Sequence, residues 1–444
     1  MNSAAEGATG ERALKPELGL LAASALVVNA TIGTGIFRNP GSIARHAGSL
    51  SAALAVWVVG AAIALAGALS VAELSAAMPR AGGIYEPLRR AFGSRVAFVY
   101  GFAKITLLAP SAVRSFATLA AESIEALFGL PPDRPREIAI ALGVLALALA
   151  TNLLRVRSSG SVQTLVTSVK YGGLAVLALA GLALPFTPHD VHAAPSSVTI
   201  GGVLAAVVSV MWAYDGWADL ASVAAETRDP QRTLPRALVA GTLAVGAIYL
   251  LTNLGYARVL GWDGLASAGE GVEMPGVRLA SATLGAIGSR ALASLIVVSC
   301  VGGAMASMMT NSRALIPMAT DGTFVRVLGR VDPGSGTPRI AVIVTGILGG
   351  IYVLSERFEE LTDGFVVGYF PFYALAILAL FVLRRREPEL PRPFRVPLVM
   401  PAIFLAGAAL VLGGALLDGG RRMLVPLAVL CVGIVLSFVP RGRW

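Results

Sequence analysis

"MWAYDGWADL", residues 211–220, closes an apolar run that begins at Val198, and it puts a carboxylate about fifteen residues into what reads as a membrane crossing. A helical crossing needs roughly 20 apolar residues, so the run is too short to span before Asp215 arrives. An ionisable group at that depth is costly unless it faces a cavity or a partner, and it marks a functional site by default. Gly216 relaxes the backbone beside it, and an Asp side chain bonds freed amides locally, so the pair suits an unwound segment.

A second stretch, "NATIGTGIFRNP" at 29–40, carries Gly33-Thr34-Gly35 inside the first apolar run. Alone, these glycines read as well as a close helix contact as a break. Beside 211–220 they read as a second broken helix. Apolar segments fall near 18–46, 50–78, 95–126, 137–154, 162–185, 199–224, 235–257, 285–312, 338–355, 364–383, 397–417 and 422–439. The breaks therefore sit in the first and sixth of twelve. Segments one to five (17–185) and six to ten (199–383) form two corresponding halves, with 397–439 holding the last two and polar tails at 1–16 and 440–444.

Paired interruptions at matching places in two halves point to the binding site of a secondary transporter. A broken helix ends in free amides on one half and free carbonyls on the other, and the half-helix dipoles add partial charge there. Such a site complements a zwitterion, amides for a carboxylate and carbonyls for an ammonium group. Non-helical backbone at this depth is tolerated because it lines a wet cavity.

Composition supports an integral membrane protein. Of 444 residues, 56% are hydrophobic and 14% charged, with a mean hydropathy of +0.75, which leaves no room for a large soluble domain. The segments are long, continuous and rich in Ala and Leu, unlike the short alternating strands of a transmembrane barrel. Of the 35 Lys and Arg, 22 fall in one set of alternate connections and 10 in the other, with Lys104, Arg114 and Lys170 inside spans. The positive-inside rule then places both termini in the cytoplasm of a multi-pass inner-membrane protein. Topology and anionic headgroups account for the net charge of +9, so no nucleic-acid partner is expected. The polar first sixteen residues precede no small-residue cleavage signature, so a removable signal peptide is not expected. Cys300 and Cys431 lie in spans, where cysteine packs as a small apolar group. His189 and His192 form an H-x-x-H in an outer connection without Cys nearby, and no metal or cofactor is assigned.

With these residues in place, the chain resembles the amino acid-polyamine-organocation transporters, and within them the bacterial permeases related to the L-type amino acid exchangers. The most specific match is "MWAYDGWADLASVAAETRDPQRTLPRAL" at 211–238, supported by "IGTGIF" at 32–37, "VAELSAAMPRAGGIYEPLRRAFG" at 71–93 and "NSRALIPMATDG" at 311–322. The resemblance implies an all-α, leucine-transporter-like fold of five plus five inverted helices with discontinuous helices 1 and 6, two further helices, and alternating access. It implies that the backbone of Ile32, Gly33, Thr34, Gly35 and Ile36 cradles a substrate carboxylate. Carbonyls around Trp212, Ala213, Tyr214, Asp215 and Gly216 would then hold the amino group, and Ser111, Tyr214 and Asp215 would contribute to side-chain selectivity.

Lys170 in "VQTLVTSVKYGG" has two readings. One is a long side chain snorkelling to the interface. The resemblance implies the other, a coupling residue whose ammonium occupies the place of a sodium ion in sodium-driven relatives and bonds carbonyls near the first break. Sodium-independent transport follows from it, with the lysine either a proton carrier or a fixed charge. Lys104 stays unassigned among snorkelling, pairing with an acid and lining the path. Ala218 stands where relatives often have Asn, and Phe102 where they often have Trp. Glu73 and Glu226 read as salt links to the Arg-rich loops.

The expected activity is secondary active transport of amino acids, uniport, symport or exchange, with neutral substrates favoured; a cationic amino acid or polyamine is the alternative, because Asp215 either pairs with a cationic side chain or braces the unwound backbone. An enzyme is not expected, since the chain has no P-loop, no HExxH helix and three histidines. No filter-like loop suggests a channel. A transporter-like nutrient sensor would keep the site but often adds a soluble extension. The connection "FGLPPDRPRE" at 128–137 contains no cysteine, so a covalent heavy-chain partner is not expected and a monomer or weak homo-oligomer is.

Overall fold

The computed structural model describes residues 16–33, 35–80, 82–153, 160–185, 197–268, 274–332, 336–355, 358–418, 420 and 424–439. Thr34, His189 and His192, nearly all of the N-terminal tail and the C-terminal tail lie outside these residues.

Among them the fold is helical, with one isolated parallel bridge between Leu18 and Thr227. The first apolar segment is two helices, α1 (Leu20–Thr31) and α2 (Gly35–Ala47), bent by 44° at the break. Ser49 then caps α3 (Leu50–Ala77), its hydroxyl accepting from the Ala52 amide at 3.2 Å, the usual role of serine at that position. A short, largely buried helix, α4 (Tyr85–Phe92), leads into α5 (Ser94–Ala103), which continues through a π-helical turn at Lys104–Leu108 into α6 (Ala109–Leu127). α7 (Arg134–Leu153) and α8 (Gly160–Ala183) complete the first half.

The second half opens with α9 (Ile200–Ala213), capped by Thr199, which accepts from the Gly202 amide at 3.1 Å. It stops at Ala213, and after a turn the chain runs on as a 3-10 stretch, Trp217–Glu226. The sequence reading anticipated the break but not the tighter winding beyond it. α10 (Pro230–Ala266) and α11 (Pro275–Arg313) each begin on a proline, whose missing N–H costs nothing at a first helical turn. They bend at Gly261 and Gly285, which makes both longer than the apolar segments they contain. α12 (Leu315–Thr320), α13 (Arg339–Ser355), α14 (Phe358–Arg386), α15 (Val399–Asp418) and α16 (Leu424–Leu436) follow.

Among the described residues, eight helices are long and apolar enough to cross a membrane, nine if α1 and α2 are one span. Three shorter apolar helices lie at Thr167–Ala183, Arg339–Ser355 and Leu424–Leu436, so every expected apolar segment carries a helix. The exterior is apolar: Leu21, Ile200, Ile287 and Leu417 are each more than 70% exposed, as lipid-facing groups would be. The interior holds the bulky aromatics Trp57, Tyr100, Tyr214, Trp217, Tyr249 and Tyr373.

Ion pairs gather at the Arg-rich end. Glu73, 1% exposed, receives Arg384 Nε at 2.8 Å and the Val396 amide at 2.7 Å. Arg313 pairs with Glu226, whose carbonyl also accepts the Glu17 and Leu18 amides at 2.9 Å. Both glutamates thus make the salt links read from the sequence.

Candidate substrate site

The two breaks lie against each other. A Cβ added to Gly35 would stand 2.5 Å from the Ala213 Cα, and one added to Gly216 would stand 2.6 Å from the Ala30 carbonyl oxygen. Gly216 also has φ 111°, where a side chain is strained regardless of room. The amide end of α2 therefore abuts the carbonyl end of α9, so the positive end of one half-helix dipole meets the negative end of the other at the junction.

Side chains from outside the breaks hold them open. Tyr249 donates to the Thr31 carbonyl at 3.0 Å, Asn39 Nδ2 to the Ser209 carbonyl at 2.9 Å, and Tyr256 to the Ile36 carbonyl at 3.4 Å. Lys170, 1% exposed, donates to the Asn29 carbonyl at 3.1 Å and to Asn29 Oδ1 at 2.6 Å. Its ammonium sits at the carbonyl end of α1, where a positive charge complements the helix dipole. It is buried, and snorkelling is excluded.

A small cavity of about 60 Å³ opens at this junction. Of the anticipated residues, Gly33, Gly35, Trp212, Asp215 and Gly216 line it. Ile32, Ile36, Ala213 and Tyr214 are buried beside the breaks without lining it, Lys170 stands behind α1, and Thr34 lies outside the described residues. Ser111 is buried in α6 away from the lining; its carbonyl accepts from Ser115, which does line the cavity.

Other lining groups were not named from the sequence. Ala112, Ser115 and Phe116 come from α6, Gly303 and Ser307 from α11, and Asp219 from the 3-10 stretch. Their spacing of three and four residues is the signal that was available, one face per helix, but nothing in the sequence says which face meets the breaks. Phe116 is wedged between two spans, since a Cβ at Gly33 would stand 2.9 Å from its ring and one at Gly303 2.4 Å.

Behind the cavity, Tyr373 donates to Asp215 Oδ1 at 3.0 Å, and its ring meets that of Tyr369 at 4.4 Å. Lys104 donates to the Tyr369 hydroxyl at 2.6 Å and lies 3.6 Å from Asp219 Oδ1. Of the three readings open for Lys104, pairing with an acid is the one observed.

A bundle of apolar helices with two broken helices meeting at a lined cavity is the architecture of a membrane transporter. Sequence comparison defines it further: the amino acid permease family model matches residues 18–437. The chain belongs to that family, within the amino acid-polyamine-organocation superfamily, and is a multi-pass amino acid transporter, not an enzyme. It is 31% identical to the serine/threonine exchanger SteT of Bacillus subtilis, over 96% of this chain and 97% of that protein. It is 29% identical to the human b(0,+)-type amino acid transporter 1, over 88% and 80%, and 28% identical to the human large neutral amino acids transporter small subunit 2, over 97% and 81%.

Proposed function

We propose that the chain is a sodium-independent transporter of neutral α-amino acids, built as twelve spans in a five-plus-five inverted arrangement and working by alternating access. One observation carries the reading: the amide end of α2 and the carbonyl end of α9 meet at one cavity. Gly33, Thr34 and Gly35 then receive the substrate carboxylate, with Ile32 and Ile36 continuing the cradle. The carbonyls of Trp212, Ala213 and Tyr214 receive the ammonium group. Lys170 takes the place of a coupling cation, its ammonium already bonded to Asn29. Asp215 offers an acceptor to a side-chain hydroxyl, in keeping with the serine/threonine exchanger among the relatives.

The cytoplasmic membrane, with both termini in the cytoplasm, suits the charge bias, and a monomer or weak homo-oligomer without a covalent heavy chain suits the cysteine-free 128–137 connection. A cationic substrate is the second reading, favoured by the two carboxylates, Asp215 and Asp219, that line the cavity. Thermal melting of the purified protein against the proteinogenic amino acids and common polyamines separates the two. A ligand at a hundred times its dissociation constant adds about 2.7 kcal/mol, so neutral amino acids are expected to raise the midpoint. Stabilisation by an amine without a carboxylate, and by no amino acid, would overturn the carboxylate role of residues 33–35.

A further inference from the structure

Three observations converge on Lys104. Its side chain is 2% exposed within a membrane span, a costly placement that a functional contact must offset. Among the described residues the one π-helical turn, Lys104–Leu108, begins on it, and such turns frequently mark functional sites. Its Nζ reaches Asp219, which lines the cavity, and the Tyr369 hydroxyl, whose ring abuts the Tyr373 that donates to Asp215. The cavity wall therefore carries two carboxylates from one broken helix and, directly behind them, one ammonium from another span.

We propose that Lys104 is a specificity-determining residue: by pairing with Asp219 it cancels one of the two carboxylate charges at the substrate cavity and so excludes cationic side chains in favour of neutral ones. This rests on the neutral amino acid reading above and adds its electrostatic cause. Charges held in a water-poor site act on one another far more strongly than in bulk water, and opposing a wrong charge is an effective route to specificity. Without the ammonium, the lining holds two negative groups and draws a cationic side chain. Without Asp219, the ammonium is left facing the cavity wall and draws an anionic one. A role confined to packing would weaken all ligands together and leave their order unchanged.

The test compares wild type, Lys104→Met, Asp219→Asn and the double variant in purified form, with L-threonine, L-arginine and L-glutamate as probes in binding and melting measurements. Lys104→Met is expected to raise the arginine-to-threonine affinity ratio about tenfold or more, and Asp219→Asn to raise the glutamate-to-threonine ratio similarly. The double variant is expected to return to the wild-type order. Folded single variants that keep the wild-type order would overturn the role of Lys104, and either single variant suffices if the other fails to fold. A wild-type protein stabilised by none of the three, nor by any other α-amino acid, would overturn the amino acid reading itself, and the specificity proposal with it.

Discussion

Gly216 is the residue on which the junction turns. Its left-handed backbone and the Ala30 carbonyl beside it leave no place for a methyl group. Gly216→Ala incurs a conformational cost of roughly 1–2 kcal/mol, and the backbone clash adds to it. Uptake into proteoliposomes is expected to fall at least about tenfold, with a lowered melting temperature; wild-type transport by this variant would show that the close approach is dispensable. Asp215 and Gly216 were legible as a break because a carboxylate and a glycine have no ordinary place in an apolar run. Asp219 was not legible as a lining group, since it sits where the expected helix nears its polar end. In the structure Asp219 lies in the 3-10 stretch after the break and lines the cavity beside Asp215.

At the scale of elements, α4 connects two spans and gathers charge outside them. Glu86, 3% exposed in its side chain, is bonded by Arg89 Nε at 3.1 Å and Arg90 Nε at 2.8 Å, with Arg80 at 3.7 Å. Burial alone would raise its pKa, but the hydrogen bonds and charges of these arginines outweigh it and hold the carboxyl below its ordinary value. A depressed folded-state pKa contributes stability that is fully present above the unfolded value of about 4.3 and is lost as pH falls through the folded one. Glu86→Gln is expected to cost about 1–3 kcal/mol at neutral pH, read as a lower melting temperature. The gap between variant and wild type should hold from pH 7 to about pH 5 and close below. A gap unchanged at low pH would place the effect in packing. The apolar stretches predicted where helices lie, and among the described residues each of them carries helix. They did not show the π turn at Lys104, because one extra residue per turn changes which face a side chain takes without changing composition.

For the whole molecule, contacts at the Arg-rich end join the segments flanking the two breaks. At the Arg-rich end, Leu18 pairs with Thr227, the Arg228 amide donates to the Leu18 carbonyl at 2.8 Å, and Arg313 grips Glu226. This ties the chain before α1 to the segment after the second break, so both broken helices are fastened to one another on that side of the cavity. Proteoliposomes loaded with a neutral amino acid are expected to accumulate the labelled one by counterflow at equal rates with and without a sodium gradient. Lys170→Ala removes the ammonium from Asn29 and leaves a buried carbonyl unpaired, a loss of about 1–3 kcal/mol, and is expected to impair that exchange. Uptake that rises steeply with sodium and persists in Lys170→Ala would overturn the coupling role.

The sequence by itself determined that the chain lives in a membrane, that it is helical, and that two of its helices break within their apolar runs. Each of these is a local matter of apolar length, charge placement and a carboxylate or glycine where lipid offers no water. Only the tertiary structure decided that the breaks touch, that Phe116, Ser115 and Ser307 face them, and that Lys104 finds Asp219 while Lys170 finds Asn29. These pairings join residues far apart in the sequence, Phe116 and Gly33 by 83 positions and Lys170 and Asn29 by 141. Spacing along one helix sets a side chain's face, but which neighbour that face meets is set by how the whole bundle packs.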